Sequence, residues 1–332
     1  MSLTGVVANR LRIAEVFRSH PEIDQETIKG PIVIVGLPRS GTTKLHRTLA
    51  RHTQIQSIPL WKLLNPAPLG PTPPGEQDMR IAIAEQVSAA MRDHYPDFFA
   101  GHPMLPREPD EEVWMLDQVM RGWMPCYTAY VPAFRDWTEQ QDMRTWYAYL
   151  KRILQMFQWF DGTSEKTWLI KAPEHMGHLD MLFETFPDAT VVETHRDPVT
   201  AISSIAVLSV ASRRMYSDSP EPDEAGAFTL AHWSQSLLSC IRRRAELEAN
   251  HTFVDAPYRE ITGDMIGLCE RVCAAAGLEL DAESRAAMEA WEAENPQNKH
   301  GKHSYELSTV GLTEEQVRAE FGEYLERYGA LL

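Results

Sequence analysis

The stretch Gly36-Leu-Pro-Arg-Ser-Gly-Thr-Thr43, followed at once by Lys44, gathers two glycines, three hydroxyls and two cations. Such a set suits an anion. Backbone amides freed by a glycine turn, the partial positive charge at the start of a following helix, and hydroxyl donors together make a phosphate cradle. Set against the nucleotide loop GxxxxGK[ST], Gly36, Gly41 and Thr43 match, but Thr42 stands where the lysine should be. That lysine reaches the β- and γ-phosphates in phosphoryl transfer. A charge pair at contact distance is worth on the order of 4 kcal/mol at an effective dielectric near 20, so its absence disfavours efficient nucleotide hydrolysis. The available cations are Arg39, inside the turn, and Lys44, just beyond it. A purely structural glycine turn is the competing reading, weakened by the strand-like and helix-like flanks.

Pro38-Arg-Ser-Gly-Thr-Thr43 after an apolar run resembles the 5′-phosphosulfate loop of sulfotransferases that use 3′-phosphoadenosine 5′-phosphosulfate (PAPS). A second segment strengthens the resemblance. His195-Arg-Asp-Pro198, with Ser204 eight residues beyond Arg196, is similar to the family's 3′-phosphate motif. The two in this order are more specific than either alone, and the resemblance, spanning about residues 31–305, is to the bacterial branch with a PRSGT loop and a K-x-P-x-H segment. It implies that Arg39 and Lys44, with Ser40, Gly41, Thr42 and Thr43, hold the 5′-phosphosulfate. It also implies that Arg196 and Ser204 hold the 3′-phosphate, a group of roughly −1.5 to −2 charges that a guanidinium fork suits. The competing reading pairs Arg196 with a carboxylate such as Asp197. Tyr258-Arg-Glu260 resembles the family's Tyr-Glu-Asp stretch near the adenine, departing from it at Arg259. Lys299-His-Gly-Lys-His303, a basic patch in an acidic chain, resembles the loop that closes over the 3′-phosphate and nominates Lys299, Gly301 and Lys302; otherwise it is a solvated loop.

Sulfuryl transfer through a loose transition state depends mainly on positioning and on neutralising charge on the leaving 5′-phosphate, and no metal is required by that scheme. The acceptor hydroxyl must lose a proton, and a histidine titrates near the working pH. In Lys171-Ala-Pro-Glu-His175, His175 is the candidate base and Lys171 a candidate cation at the bridging oxygen, in line with the family's lysine and histidine; Arg39 completes the catalytic set. Some members use a glutamate, so Glu174 and Glu111 stand as alternatives. His175 could equally cap a helix, and Glu174 could be a first-turn acid favoured by the helix dipole. His175 with His178, and His300 with His303, lack the HExxH or cysteine context of a zinc site.

Positioning these groups requires strands that end at them. Residues 31–36, 167–171, 190–195 and 251–255 read as short β-branched or alternating runs, separated by helical stretches at 41–52, 175–186, 198–215, 226–249 and 261–276. That alternation predicts an α/β fold: a P-loop-like central parallel sheet flanked by helices, in a single domain over 1–332. The core sheet falls in about 31–55 and 165–276, behind a leading helix over 4–18. Prolines at 59, 66, 68, 71, 73 and 74 predict a loop over 59–75. Residues 76–160, rich in Trp, Tyr, Phe and Met, read as an inserted helical region, either plain core or in part an apolar acceptor pocket. Helices at 282–294 and 313–328 flank the basic loop.

A net charge of −15, from 32 basic and 47 acidic side chains, argues against nucleic acid as a partner. The four cysteines show no CxxC pair and read as reduced core thiols. No leader-like segment and no apolar run of about 18 residues is found, which predicts a soluble cytoplasmic protein without a membrane span. The expected activity is sulfuryl transfer from PAPS to a hydroxyl on a small, neutral or apolar, or lipid-like acceptor. A P-loop kinase or NTPase and a non-catalytic nucleotide-binding module are the rivals.

Overall fold

In the computed structural model, which describes residues 3–296 and 306–332, five strands form the sheet. They are β1 (Ile32–Gly36), β2 (Ile55–Ser57), β3 (Thr167–Lys171), β4 (Thr190–His195) and β5 (Thr252–Pro257). All pair in parallel, in the order β2-β3-β1-β4-β5. β1 therefore lies at the centre, with Ile34 beside Lys171 of β3 and Val192 of β4. The carboxyl ends of β3, β1 and β4 are neighbours, which is where open parallel sheets bind ligands.

Strand alternation divides the core in two. Val33 and Val35 join Ile170 and Val191 in the larger cluster, whereas Ile32 and Ile34 join Leu169 and Val192 in the smaller one. The larger layer takes its apolar stripes from the helices Leu3–Ser19, Arg144–Asp161, Pro198–Arg213 and Pro222–Leu247. Helices Thr42–Leu49, Met265–Ala275 and Ala282–Glu294 cover the other face. Full burial of β1 on both faces explains its unbroken Ile-Val-Ile-Val run.

Several expectations are refined. β2 is a fifth strand at the sheet edge, only 3 residues long, formed where the chain leaves the helix Thr42–Leu49 and pairs with β3. The expected helix over 175–186 divides into a 3₁₀ turn, Pro173–His178, and a helix, Leu179–Thr185. The proline-rich loop contains one short helix, Leu60–Leu64. Within 76–160 the chain forms six helices from Met79 to Asp161, broken mostly at prolines. All four cysteines are buried and unpaired. Among the described residues no helix is long and apolar enough to cross a membrane. The basic stretch with Lys299, Gly301 and Lys302 lies outside the described residues.

Candidate active site

Close approach dictates the turn after β1. Gly36 has φ 134°, and a Cβ there would stand 2.1 Å from Thr194 Oγ1 on β4. Gly41 has φ 91°, with Ile261 Cγ2 2.9 Å from the position of a Cβ. Only glycine suits either place. Arg39 also takes positive φ, 70°, a sparsely populated conformation for a side chain of its kind. Its guanidinium is held on both sides: Nη1 donates to the Gly101 carbonyl at 2.7 Å and Nε to Ser204 Oγ at 3.2 Å. The helix Thr42–Leu49 starts at Gly41 without a side-chain cap, leaving its first amides open to an anion.

Two members of the expected phosphosulfate set point elsewhere. The Ser40 hydroxyl is fully buried, 2.5 Å from the Leu37 carbonyl and 2.6 Å from Thr194 Oγ1, so it shapes the turn from beneath instead of facing a ligand. Lys44 turns toward the helix Ala282–Glu294. Its ammonium pairs with Glu292 at 2.7 Å and reaches the Ile261 carbonyl at 3.3 Å.

Arg196, at the end of β4, bonds directly to the turn: its Nη1 donates to the Arg39 carbonyl. Its guanidinium lies 4.0 Å from the centre of the Tyr258 ring, which also packs against Gly41. Asp197 does not take it as an ion pair. That carboxylate accepts from Thr200 N at 3.0 Å and caps the helix Pro198–Arg213. Among the described residues Arg196 has no carboxylate partner, and burial draws its pKa down. Arg39, Arg196, Ser204 and Tyr258 are thus brought together by adjacent strand ends.

The third strand end supplies what the turn lacks. Lys171 is 2% exposed, its Nζ 3.4 Å from Thr43 Oγ1 and ion-paired with Glu111. An ammonium from β3 thus lies beside Thr43, next to the position where the nucleotide loop carries its lysine. His175, by contrast, is turned into the core. It is fully buried, with Nε2 2.6 Å from Glu112 Oε1 and Nδ1 2.9 Å from the Tyr147 hydroxyl. Both ring nitrogens are engaged, and the second Glu112 oxygen accepts from Lys171 N at 2.9 Å. His175 braces the strand end that carries Lys171; it does not face the cavity as a base.

Two carboxylates do face it. Glu111 and Glu174 line a cavity of about 140 Å³ with Pro38, Arg39, Thr42 and Thr43. Burial, then the charge of Glu111, pushes the Glu174 carboxyl up to about 8, and its Oε2 has no hydrogen-bond partner among the described residues. The rest of the lining is mostly apolar, including Phe98, Trp114, Met124, Tyr127, Ile205, Leu208 and Trp233, with His102, Ser209 and Ser212 as polar members. Within the aromatic segment Met115 and Trp146 are core, while Trp114, Met124 and Tyr127 line the cavity. No sequence signal marked Glu112 or Tyr147, since their roles arise only from long-range contact with His175.

Glu193, His195 and Asp255 bring ligand atoms within 4.8 Å of one another, as a metal site would. A guanidinium already occupies that junction: Arg244 Nη1 lies 2.7 Å from Glu193 and 2.5 Å from Asp255, and His195 Nε2 lies 2.8 Å from Asp255. The cluster is an ion-pair network under β4 and β5.

Comparison with known proteins points one way. The profile described as "Sulfotransferase family" matches residues 31–282. The crystal structure of sulfotransferase STF9 from Mycobacterium avium superposes with a TM-score of 0.85 at 25% identity, covering 98% of this chain and 83% of that one. Sulfotransferase STF1 from Mycobacterium tuberculosis H37Rv superposes with a TM-score of 0.78 at 30% identity, over 96% of this chain and 83% of that one. Omega-hydroxy-beta-dihydromenaquinone-9 sulfotransferase Stf3 of Mycobacterium bovis is 24% identical over 322 residues, covering 90% of this chain and 75% of the relative.

Proposed function

The chain belongs to the sulfotransferase family and transfers a sulfuryl group; we propose that the donor is PAPS and the acceptor a hydroxyl on an apolar, lipid-like molecule. The observation that carries the donor assignment is the bond from Arg196 Nη1 to the Arg39 carbonyl. It joins the two turns that would grip the two anionic ends of one adenosine donor. The open amides of Gly41, Thr42 and Thr43 with Arg39 and Lys171 take the 5′-phosphosulfate; Arg196 and Ser204 take the 3′-phosphate, with Tyr258 beside them.

In the reaction the acceptor oxygen forms a bond to sulfur while the bond from sulfur to the 5′-phosphate oxygen breaks. Negative charge grows on the leaving 3′-phosphoadenosine 5′-phosphate, where Lys171 and Arg39 neutralise it. Glu111 takes the acceptor proton. Its ion pair with Lys171 couples the two events: as Glu111 is neutralised, the Lys171 ammonium is freed for the leaving phosphate. The apolar cavity walls, and the quinol-derived acceptor named for the mycobacterial relative, support a lipid-like acceptor.

Calorimetric titration with 3′-phosphoadenosine 5′-phosphate in the presence of a chelator tests the donor site, and release of that nucleotide from PAPS with a panel of alcohols tests transfer. Binding only with magnesium, or preference for ATP over PAPS, would instead support the kinase-like reading.

A further inference from the structure

The C-terminal segment folds back onto the strand ends that carry the donor motif. Tyr324, in the helix Gly322–Tyr328, is 1% exposed. Its hydroxyl accepts from Arg196 N at 3.3 Å, lies 3.3 Å from His195 Nδ1 and 3.5 Å from the Arg196 carbonyl. His195 Nε2 meets the Asp255 carboxylate at 2.8 Å, so the ring proton belongs on Nε2 and Nδ1 is left to accept the tyrosine proton. Two further contacts flank this one. Arg318 Nη1 lies 3.6 Å from Asp197, and Arg259, the residue at which the Tyr-Arg-Glu stretch departs from the family pattern, donates to the Ala330 carbonyl at 3.1 Å.

We propose that Tyr324 is a positioning residue for the donor: by bonding the backbone of Arg196 and the ring of His195, it fixes the turn so that the Arg196 guanidinium faces the Arg39 carbonyl and the 3′-phosphate. The inference rests on the donor reading given above. Arg196 has a long side chain and no carboxylate partner among the described residues, so its direction is set by its backbone, the Arg39 carbonyl and the Tyr258 ring. Removing the tyrosine hydroxyl frees the backbone end.

The test is calorimetric titration of the full chain with 3′-phosphoadenosine 5′-phosphate and, separately, with adenosine 5′-phosphate, which lacks the 3′-phosphate. Tyr324→Phe keeps the ring, 6.0 Å from His195 and 5.5 Å from Tyr328, and removes only the hydroxyl. The expected result is a loss of about three- to tenfold in affinity for the bisphosphate, the range set by one net hydrogen bond, with no change for adenosine 5′-phosphate. In turnover the loss falls on KM for PAPS and not on kcat. In an Arg196→Ala background Tyr324→Phe adds nothing, because the group it positions is gone. An equal loss for both nucleotides, or an undiminished loss in the Arg196→Ala background, assigns Tyr324 a merely structural role and overturns the inference. Wild-type affinity in Tyr324→Phe with weakened affinity in Arg196→Ala overturns it alone, whereas unchanged affinity in Arg196→Ala overturns the donor reading as well.

Discussion

The Lys171 ammonium, delivered by β3, lies 3.4 Å from the Thr43 hydroxyl on the first turn after the anion loop of β1. A cation that the loop sequence lacks at position 42 thus stands beside the loop on the adjacent strand. Lys171→Ala should lower kcat about 10²- to 10³-fold, the scale of losing one preorganised charge at the site where charge develops. Affinity for 3′-phosphoadenosine 5′-phosphate should change far less. Turnover of radiolabelled PAPS and titration of the product nucleotide separate the two effects.

Glu111 and His175 are distinguished by pH. A carboxylate base accepts a proton only when ionised; Glu111→Gln should lower kcat by about 10²- to 10⁴-fold and flatten the acid limb of the rate profile. His175→Gln, which disturbs the contact with Glu112, should slow turnover while the acid limb persists. A pH–rate profile that loses its limb in the histidine variant would return the base to His175.

Glu174 carries a stability signature. Its carboxyl titrates near 8 in the folded chain, above its ordinary value of 4.5, chiefly because burial penalises the charged form. Between those values the folded state binds more protons than the unfolded, so this group's contribution to stability declines as pH rises through that window. Glu174→Gln, which stays neutral, should gain in melting temperature relative to the wild type from about pH 4.5 up to about pH 8 and level off above. A constant difference between the two melting curves would contradict this.

Gly36 leaves no room for a side chain. Gly36→Ala would drive a Cβ into Thr194 Oγ1 and demand φ 134° of an alanine. The expected cost is about 2–4 kcal/mol of folding stability, with loss of nucleotide binding because the turn must move. Thermal unfolding with and without 3′-phosphoadenosine 5′-phosphate reads both quantities.

The parts of this architecture visible in the sequence are those encoded locally. β1, its glycine turn and the helix behind it are specified within some twenty residues by a β-branched run, two glycines and a helix start. The Arg196 motif has the same character. β2, at 3 residues, is too short for any periodicity to mark it. Side-chain direction was less accessible. Lys44 and Lys171 are both lysines beside the turn, and only the partner Glu292, and the placement of β3 beside β1, decide which one faces it. The place of His175 depends on Glu112, 63 residues upstream, and residue type alone could not separate a cavity base from a buried brace.

β1 sits between β3 and β4, so Arg39, Lys171 and Arg196 issue from strand ends locked together by backbone hydrogen bonds, while the aromatic walls of the cavity come from helices outside the sheet. The two sets meet along one helix, Pro198–Arg213, which holds Ser204 against Arg39 and turns Ile205 and Leu208 to the cavity. On the proposed reading, exchanging the walls to change the alcohol must therefore spare that helix and the Gly101 carbonyl if the nucleotide is to dock as before.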